Sequence, residues 1–182
     1  MKPKPAGPLH LRSGLTIYPS QNNAIKTALT ELIEQLPARY VLLTDISGQV
    51  IMARGHHPDQ VDPVALASLV AGDLAANQEI ARLLGQYQAS QRTLREGETA
   101  HTFLAEAGPY LALLVQIDSQ TPLGWARVMV LKYAHKLANI VETVPPETRD
   151  LRQPSEAQHL LTNDNDLSEL FGNALDELWS SS

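Results

Sequence analysis

Residues 62–85, DPVALASLVAGDLAANQEIARLLG, decide the fold of this chain. Asp62 is a candidate N-cap, and Pro63 stands at the first helical position, where its missing N–H leaves no hydrogen bond unmade. At the other end, Gly85 is the residue type that most easily adopts the left-handed conformation that follows many helices. The stretch is therefore predicted to be one long helix.

This helix has two unlike faces when its residues are placed at intervals of about 100°. The broad apolar face consists of Leu66, Leu69, Val70, Leu74, Ile80 and Leu84. The bare face consists of Ser68, Ala71, Gly72 and Ala75. A face of small residues lets another backbone approach closely, so that dispersion contacts accumulate. Two interpretations stay open: the small residues pack on the chain's own sheet, or the large face covers that sheet while the bare face meets a second copy.

The size and composition of the chain suit one soluble domain with tails. It has 182 residues, of which 43% are hydrophobic, and no cysteine. The lack of cysteine excludes disulfides, thiolate metal sites and a cysteine nucleophile. No segment resembles a signal peptide or reaches the roughly 20 apolar residues of a membrane span. The sequence therefore predicts a cytoplasmic protein without membrane insertion.

The charge of the chain is unevenly placed. The net charge is −6, and residues 145–182 hold all of it, with eight acidic and two basic side chains. Residues 1–144 are balanced, with twelve of each. Because nucleic-acid binders carry a basic surface, no nucleic-acid partner is predicted.

The remaining elements follow from hydrophobic periods of 3.6 and 2. Helices are predicted at residues 21–35, with Ser20 as N-cap, and from the Thr121-Pro122 cap to about Glu142. Strands are predicted at residues 40–46, 49–54, 90–96, 99–107 and 110–117. All connections between consecutive strands are short, which requires antiparallel pairing. We therefore predict an α+β sandwich in residues 20–144, with a five-stranded antiparallel sheet flanked by three helices.

Two tails flank this predicted domain. Residues 1–19 contain four prolines and are interpreted as a mobile arm, in which residues 15–18 could form a short strand. Residues 145–182 form an acidic tail that ends in DLSELFGNALDELW, residues 166–179, an amphipathic helix by its spacing. Its contact side consists of Leu167, Leu170, Phe171, Leu175, Leu178 and Trp179. So short a helix needs a surface, and both its own domain and a partner's groove stay open as that surface.

The sequence contains no motif of nucleotide binding or of nucleophilic catalysis. It lacks the phosphate loop, the dinucleotide-binding turn and the nucleophile elbow. We therefore predict no catalytic residue and no cofactor. His56 and His57 lie near Asp59, but adjacent loop residues seldom converge on one ion, so no metal site is predicted. Asp73 and Asn77 interrupt the apolar side of the central helix and are predicted to make structural hydrogen bonds.

Three segments, taken together, resemble the roadblock/dynein-light-chain family, most closely the bacterial branch that partners small Ras-like GTPases. They are VLLTDISGQVIMA at residues 41–53, LASLVAGDLAANQEIARLLG at 66–85, and YLALLVQIDSQTPLGWARVMVLKYAHKLANIV at 110–141. The resemblance extends over about residues 20–143 and leaves out both tails. None of these segments is catalytic, so the resemblance rests on their joint occurrence and order.

The resemblance implies a non-enzymatic homodimer with the predicted sandwich fold. Central helices would pair across a two-fold axis, and edge strands would join two sheets into one. In this sequence the helix contact would consist of Ser68, Ala71, Gly72 and Ala75. The edge contact would consist of Arg92, Thr93, Leu94 and Arg95.

Three functions follow as hypotheses. The resemblance favours a homodimeric regulator that binds a small Ras-like GTPase and modulates its nucleotide state by ordering its switch loops. The alternative is a dimeric scaffold that holds a motor or signalling complex regardless of nucleotide. A small-ligand sensor is the weakest hypothesis, because no polar residues converge by sequence pattern on a pocket.

Overall fold

The computed structural model describes residues 7–55, 61–85 and 92–149. The described residues up to Pro145 belong to one compact unit, and a second unit begins at Pro146. The described elements, in chain order, are β1 (Leu9–His10), β2 (Thr16–Ile17), α1 (Pro19–Gln35), β3 (Ala38–Asp45), β4 (Val50–Gly55), α2 (Pro63–Leu83), β5 (Arg92–Glu96), β6 (Ala100–Ala107), β7 (Leu111–Asp118), α3 (Leu123–Glu142) and α4 (Pro146–Arg149).

The main sheet has five strands in the order β4-β3-β7-β6-β5, and every neighbouring pair is antiparallel. The predicted α+β architecture is therefore confirmed. Strand β7, the most apolar run of the chain, lies in the centre, where both of its faces are covered. Strands β4 and β5 form the two edges.

Helices cover the two faces of this sheet unequally. On one face, α1 and α3 pack side by side over a core that includes Leu32, Leu43 and Leu137, all fully buried. On the other face, α2 is the one helix that the described ranges contain, and its Val70 and Leu74 contact a smaller core around Leu42. A single helix on a sheet keeps an outward side, and the outward side of α2 holds the candidate site.

The first helix begins two residues earlier than predicted. Tyr18, not Ser20, is the N-cap, and Pro19 takes the first helical position. The backbone N–H of Tyr18 donates to Oε1 of Gln21 at 3.1 Å. The buried amide of Gln21 also ties α1 to the end of α3, because its Nε2 donates to the carbonyl oxygens of Ile140, Val141 and Thr143.

The interpretation of residues 1–19 as a mobile arm is wrong for the part that the structure describes. Strands β1 and β2 pair as a small antiparallel hairpin. Leu11 and Ile17 are buried in the core beside α1, with exposed fractions of 6% and 1%. Residues that bury side chains this completely are ordered by the hydrophobic effect, whatever the proline content around them.

Asp45 fastens this hairpin to the β3–β4 turn. Its carboxylate accepts hydrogen bonds from the backbone N–H groups of Ser13, Ser47 and Gln49 at 2.7–3.1 Å, and from the hydroxyl of Ser47. Burial alone would raise the pKa of Asp45, but these hydrogen bonds outweigh it and hold the pKa below its usual value. The ionised carboxylate therefore stabilises the folded chain.

Asp45→Asn is expected to lower the free energy of unfolding by about 1–3 kcal/mol at pH 7. The N–H₂ of asparagine would replace one carboxylate oxygen, and it cannot accept the hydrogen bonds which that oxygen receives. A carboxyl whose pKa is depressed on folding stabilises the protein above its unfolded pKa, about 3.9. That contribution diminishes as pH falls below the unfolded pKa and towards the lower folded pKa, so the difference between the two proteins should be smaller at pH 3 than at pH 7. Urea denaturation at pH 7 and pH 3 measures the difference. Equal stability at pH 7 would contradict this role of Asp45, and Asp118→Asn, at an exposed ion pair, is the control.

Candidate protein-binding surface

The ends of α2 lie where the sequence places them. The helix runs from Pro63 to Leu83, and the carboxylate of Asp62 accepts a hydrogen bond from the N–H of Val64 at 2.9 Å. Its rotation about its own axis, however, differs from the prediction. Ala67, Val70 and Leu74 are the buried residues, whereas Leu69 and Ile80, expected on the sheet, are 70% and 54% exposed.

This rotation follows from a close contact with the β3–β4 turn. Gly48 has φ of +82°, and a Cβ on it would lie 3.0 Å from Cα of Ser68 and 3.3 Å from Cβ of Ala71. The turn can come this near only because residues on both sides are small. Part of the bare face, Ser68 and Ala71, therefore lies beside the chain's own turn and not on the sheet.

The outward side of α2 is a continuous apolar strip, which we call the outer stripe. Its residues recur at three- and four-residue steps, and all are exposed: Ala65, Leu69, Gly72, Ala76, Ile80 and Leu83. A Cβ on Gly72 would meet no described atom within 4 Å. Leu84, also predicted on the sheet, is 65% exposed just after the helix. The prediction that Leu69 and Ile80 lie on the sheet is therefore wrong, although their spacing also matches a second helical face.

Polar contacts hold α2 to the β5 end of the sheet. A guanidinium N–H of Arg95 donates to Oδ1 of Asp73 at 2.7 Å, and this bond raises the pKa of Arg95. The side-chain amide of Asn77 donates to the same carboxylate, and Gln78 donates to Glu106 on β6. The structural hydrogen bonds expected of Asp73 and Asn77 are thus present. They place the outer stripe and the edge strand on the same side of the domain.

A cleft of about 520 Å³ opens between α2 and two turns at one end of the sheet, and we call it the turn cleft. Ala71 and Ala75 of the bare face form one wall, and Ile46 and Pro109 of the turns form the other. Glu106 supplies the one charged group among the described residues that line it. This cleft could not be predicted from the sequence, because its walls come from turns that no local pattern brings together.

Strand β5 is an open edge among the described residues. It pairs with β6 on one side, and no described strand lies on the other. Of its predicted contact residues, Arg92 and Arg95 are exposed, while Thr93 and Leu94 are half-buried. Such an edge offers unpaired backbone donors and acceptors to another strand.

The contact residues of the predicted tail helix at 166–179 lie outside the described residues. His56, His57 and Asp59, for which no metal site was predicted, lie outside them as well. In the ranges 7–55, 61–85 and 92–149, no helix combines the length and the apolar character that crossing a membrane requires.

Comparison with known proteins agrees with the geometry. The Roadblock/LC7 domain family matches residues 25–117, about half of the chain. The structure is similar to the gliding protein MglB from Thermus thermophilus, with 30% identity and a TM-score of 0.65, over 72% of this chain and 98% of that one. It is also similar to MglB from Myxococcus xanthus, with 30% identity and a TM-score of 0.62, over 69% and 93% of the two chains.

A further similar structure is MglB in a tetrameric arrangement, again 30% identical with a TM-score of 0.65, over 72% of this chain and 98% of that one. No curated protein sequence matches the chain significantly.

Proposed function

This chain belongs to the Roadblock/LC7 family, and from that premise we propose that it is a non-enzymatic homodimeric regulator of a small Ras-like GTPase. The observation that carries the proposal is the outer stripe of α2 beside the open edge of β5. Leu69 and Leu83 are each 70% exposed, and a continuous apolar strip of this kind is typical of a protein–protein interface.

A second copy is the proposed partner of the outer stripe. Three- and four-residue steps of apolar residues are the pattern by which two helices pack together. Gly72 and Ala76 in the middle of the stripe leave room for a close helix approach, and the larger Leu69 and Ile80 stand beside them. The proposed helix contact is therefore centred on Gly72, with the exposed Ser68 and Ala75 at its margin. Ala71, half-buried beside Gly48, lies furthest from it.

The turn cleft is the proposed contact for the GTPase. Its apolar walls are open beside α2, and a two-fold dimer would present two such clefts on one surface. An apolar side chain of a GTPase switch loop held there would favour one conformation of that loop. The chain need not supply a reacting group for this mechanism, because a regulator that binds one nucleotide state more tightly shifts the population of that state.

Nucleotide-dependent binding is the expected result that tests this proposal. The full chain should bind a Ras-like GTPase from the same organism at least about tenfold more tightly when the GTPase carries a GTP analogue than when it carries GDP. Ile46→Arg should abolish this binding without dissociating the dimer, because the long side chain fills the turn cleft from the wall opposite α2, away from the proposed α2–α2 contact. Titration calorimetry measures both affinities.

The control is Asn139→Arg, which adds the same charge to the exposed side of α3 and should leave binding unchanged. Equal affinity for the two nucleotide states would contradict a regulator and favour the alternative, a nucleotide-independent scaffold. Equal loss of binding in both variants would show that added charge, not the turn cleft, decides the result.

A further inference from the structure

The two faces of β5 differ in chemistry. In the register with β6, Arg92 lies opposite Ala105, Leu94 opposite Phe103 and Glu96 opposite His101. Phe103 and Ala105 belong to the core beneath α1 and α3, so all three β5 residues are on that side of the sheet. The intervening residues of β5 are on the α2 side, where Arg95 contacts Asp73.

Arg92 and Glu96 are two charges of opposite sign, both exposed, with a half-buried leucine between them. No hydrogen bond or ion pair joins either of them to another described residue. On the same strand, by contrast, Arg95 is engaged by Asp73 at 2.7 Å. The two free charges are therefore available to a strand that pairs with the open edge.

Two-fold symmetry limits the ways in which β5 can pair with itself. Suppose that the α2 helices of both copies lie on one face of the joined sheet and that α1 and α3 of both copies lie on the other. Residues directly opposite each other across the new pairing must then point to the same face. The two-fold axis must then relate one residue of β5 to the same residue of the other copy, so that this residue lies opposite itself. An axis at Leu94 places the two Leu94 side chains opposite each other and puts Arg92 of each copy opposite Glu96 of the other.

Other registers are less favourable. An axis at Arg95 places two guanidinium groups directly opposite each other, and like charges in that position destabilise strand pairing. An axis at Thr93 places Leu94 opposite Arg92 and leaves Glu96 without an opposite residue in β5. The other edge, β4, contains only one charged residue, Arg54, so no register of β4 offers an opposite-charge pair.

We propose that β5 pairs antiparallel with β5 of a second copy in the register centred on Leu94, and that two symmetric Arg92–Glu96 ion pairs set this register. The inference rests on the homodimer of the proposed function. It adds which residues select the partner strand. Two copies of β5 place opposite charges against each other, whereas a partner strand with an acidic residue at position 92 would place it against Glu96 and pair poorly.

Cysteine cross-linking of the full chain tests the register directly, because the chain contains no cysteine. Cα atoms of directly opposite residues in antiparallel strands lie about 4.5–5.5 Å apart, within the range of a disulfide. Leu94→Cys should therefore give most of the protein as a covalent dimer after mild oxidation. Thr93→Cys should not, since Arg95 lies opposite it, but a mixture of Thr93→Cys and Arg95→Cys chains should cross-link.

The outcomes of cross-linking separate the register from the dimer. A dimer by light scattering in which Leu94→Cys cross-links no faster than Thr93→Cys would overturn the register and leave the homodimer standing. A wild-type chain that is monomeric by light scattering, together with a Leu94→Cys variant that does not cross-link, would overturn both.

A charge exchange tests the ion pairs without relying on a cysteine at a half-buried position. Arg92→Glu and Glu96→Arg should each raise the Kd of the dimer about tenfold or more, since each places like charges opposite twice. The double variant should return the Kd to within about threefold of the wild type. Arg54→Glu, on the other edge strand, is the matched control and should have no effect. A double variant as weak as the single ones would overturn the ion pairs.

Discussion

Gly72→Arg is expected to convert the protein from a dimer into a monomer. Gly72 lies in the middle of the outer stripe, where the proposed α2–α2 contact brings two backbones together. By symmetry the substitution places two guanidinium groups there, and such a juxtaposition costs several kcal/mol. A loss of about 3 kcal/mol raises the Kd roughly a hundredfold. Light scattering over a concentration series measures the change.

The folded monomer should tolerate this substitution. A Cβ on Gly72 meets open space, and arginine is a better helix former than glycine by nearly 1 kcal/mol. Gly124→Arg is the matched control, because Gly124 is an exposed helical glycine in α3 whose added Cβ also meets open space. If both variants remain dimeric, the dimer contact lies elsewhere. If both dissociate, the effect of the arginine is not specific to α2.

Gly55→Ala is expected to lower the free energy of unfolding more than a Gly→Ala substitution at any other described glycine. Gly55 ends strand β4 with φ of +95°, and an added Cβ would lie 2.3 Å from the carbonyl oxygen of Arg39. The neighbouring atom is backbone of the paired strand, so the strand itself must move. Together, strain and clash should lower the free energy of unfolding by about 2–4 kcal/mol, measurable by urea denaturation.

The matched control separates backbone strain from the clash. Gly14 has a similar φ of +86°, but a Cβ on it would meet nothing within 4 Å. Gly14→Ala should therefore cost only the left-handed strain, about 1–2 kcal/mol. If Gly55→Ala is no less stable than Gly14→Ala, the close approach of Gly55 to Arg39 is not a constraint on the fold.

The ends and types of the main elements could be predicted because they depend on local chemistry. The start of α2 is encoded by two adjacent residues, Asp62 as N-cap and Pro63 at the first helical position. The β3–β4 turn is likewise encoded by the adjacent Ser47 and Gly48. The order of strands in the sheet depends on pairings between distant segments, which periodicity does not contain. The sequence therefore indicates five antiparallel strands but not that β7 pairs with β3.

The orientation of α2 could not be predicted because the helix has two apolar sides. Periodicity identifies Leu69 and Val70 as apolar residues, but it does not say which one rests on the sheet. The choice is made by Gly48, a residue twenty positions upstream whose turn contacts Ser68. A contact of this kind is visible only when the chain is folded.

A short strand at residues 15–18 was suggested and is present as β2, but its pairing with β1 was missed for a similar reason. Its proline-rich surroundings indicate a mobile arm, whereas the groups that order it, Asp45 and Gln49, lie more than thirty residues further along the chain. The dimer contact is a different case, since the residues of β5 were taken from the family resemblance. Among the described residues β5 is an open edge of the sheet, and its pairing with a second copy stays a prediction.

The oligomeric state of the full chain tests the central claim most directly. Sedimentation equilibrium at micromolar concentration should give twice the chain mass of 19.9 kDa. The claim requires a second copy to cover the outer stripe and the β5 edge, because no described part of the chain does so. A mass of one chain across the whole concentration range would contradict the account.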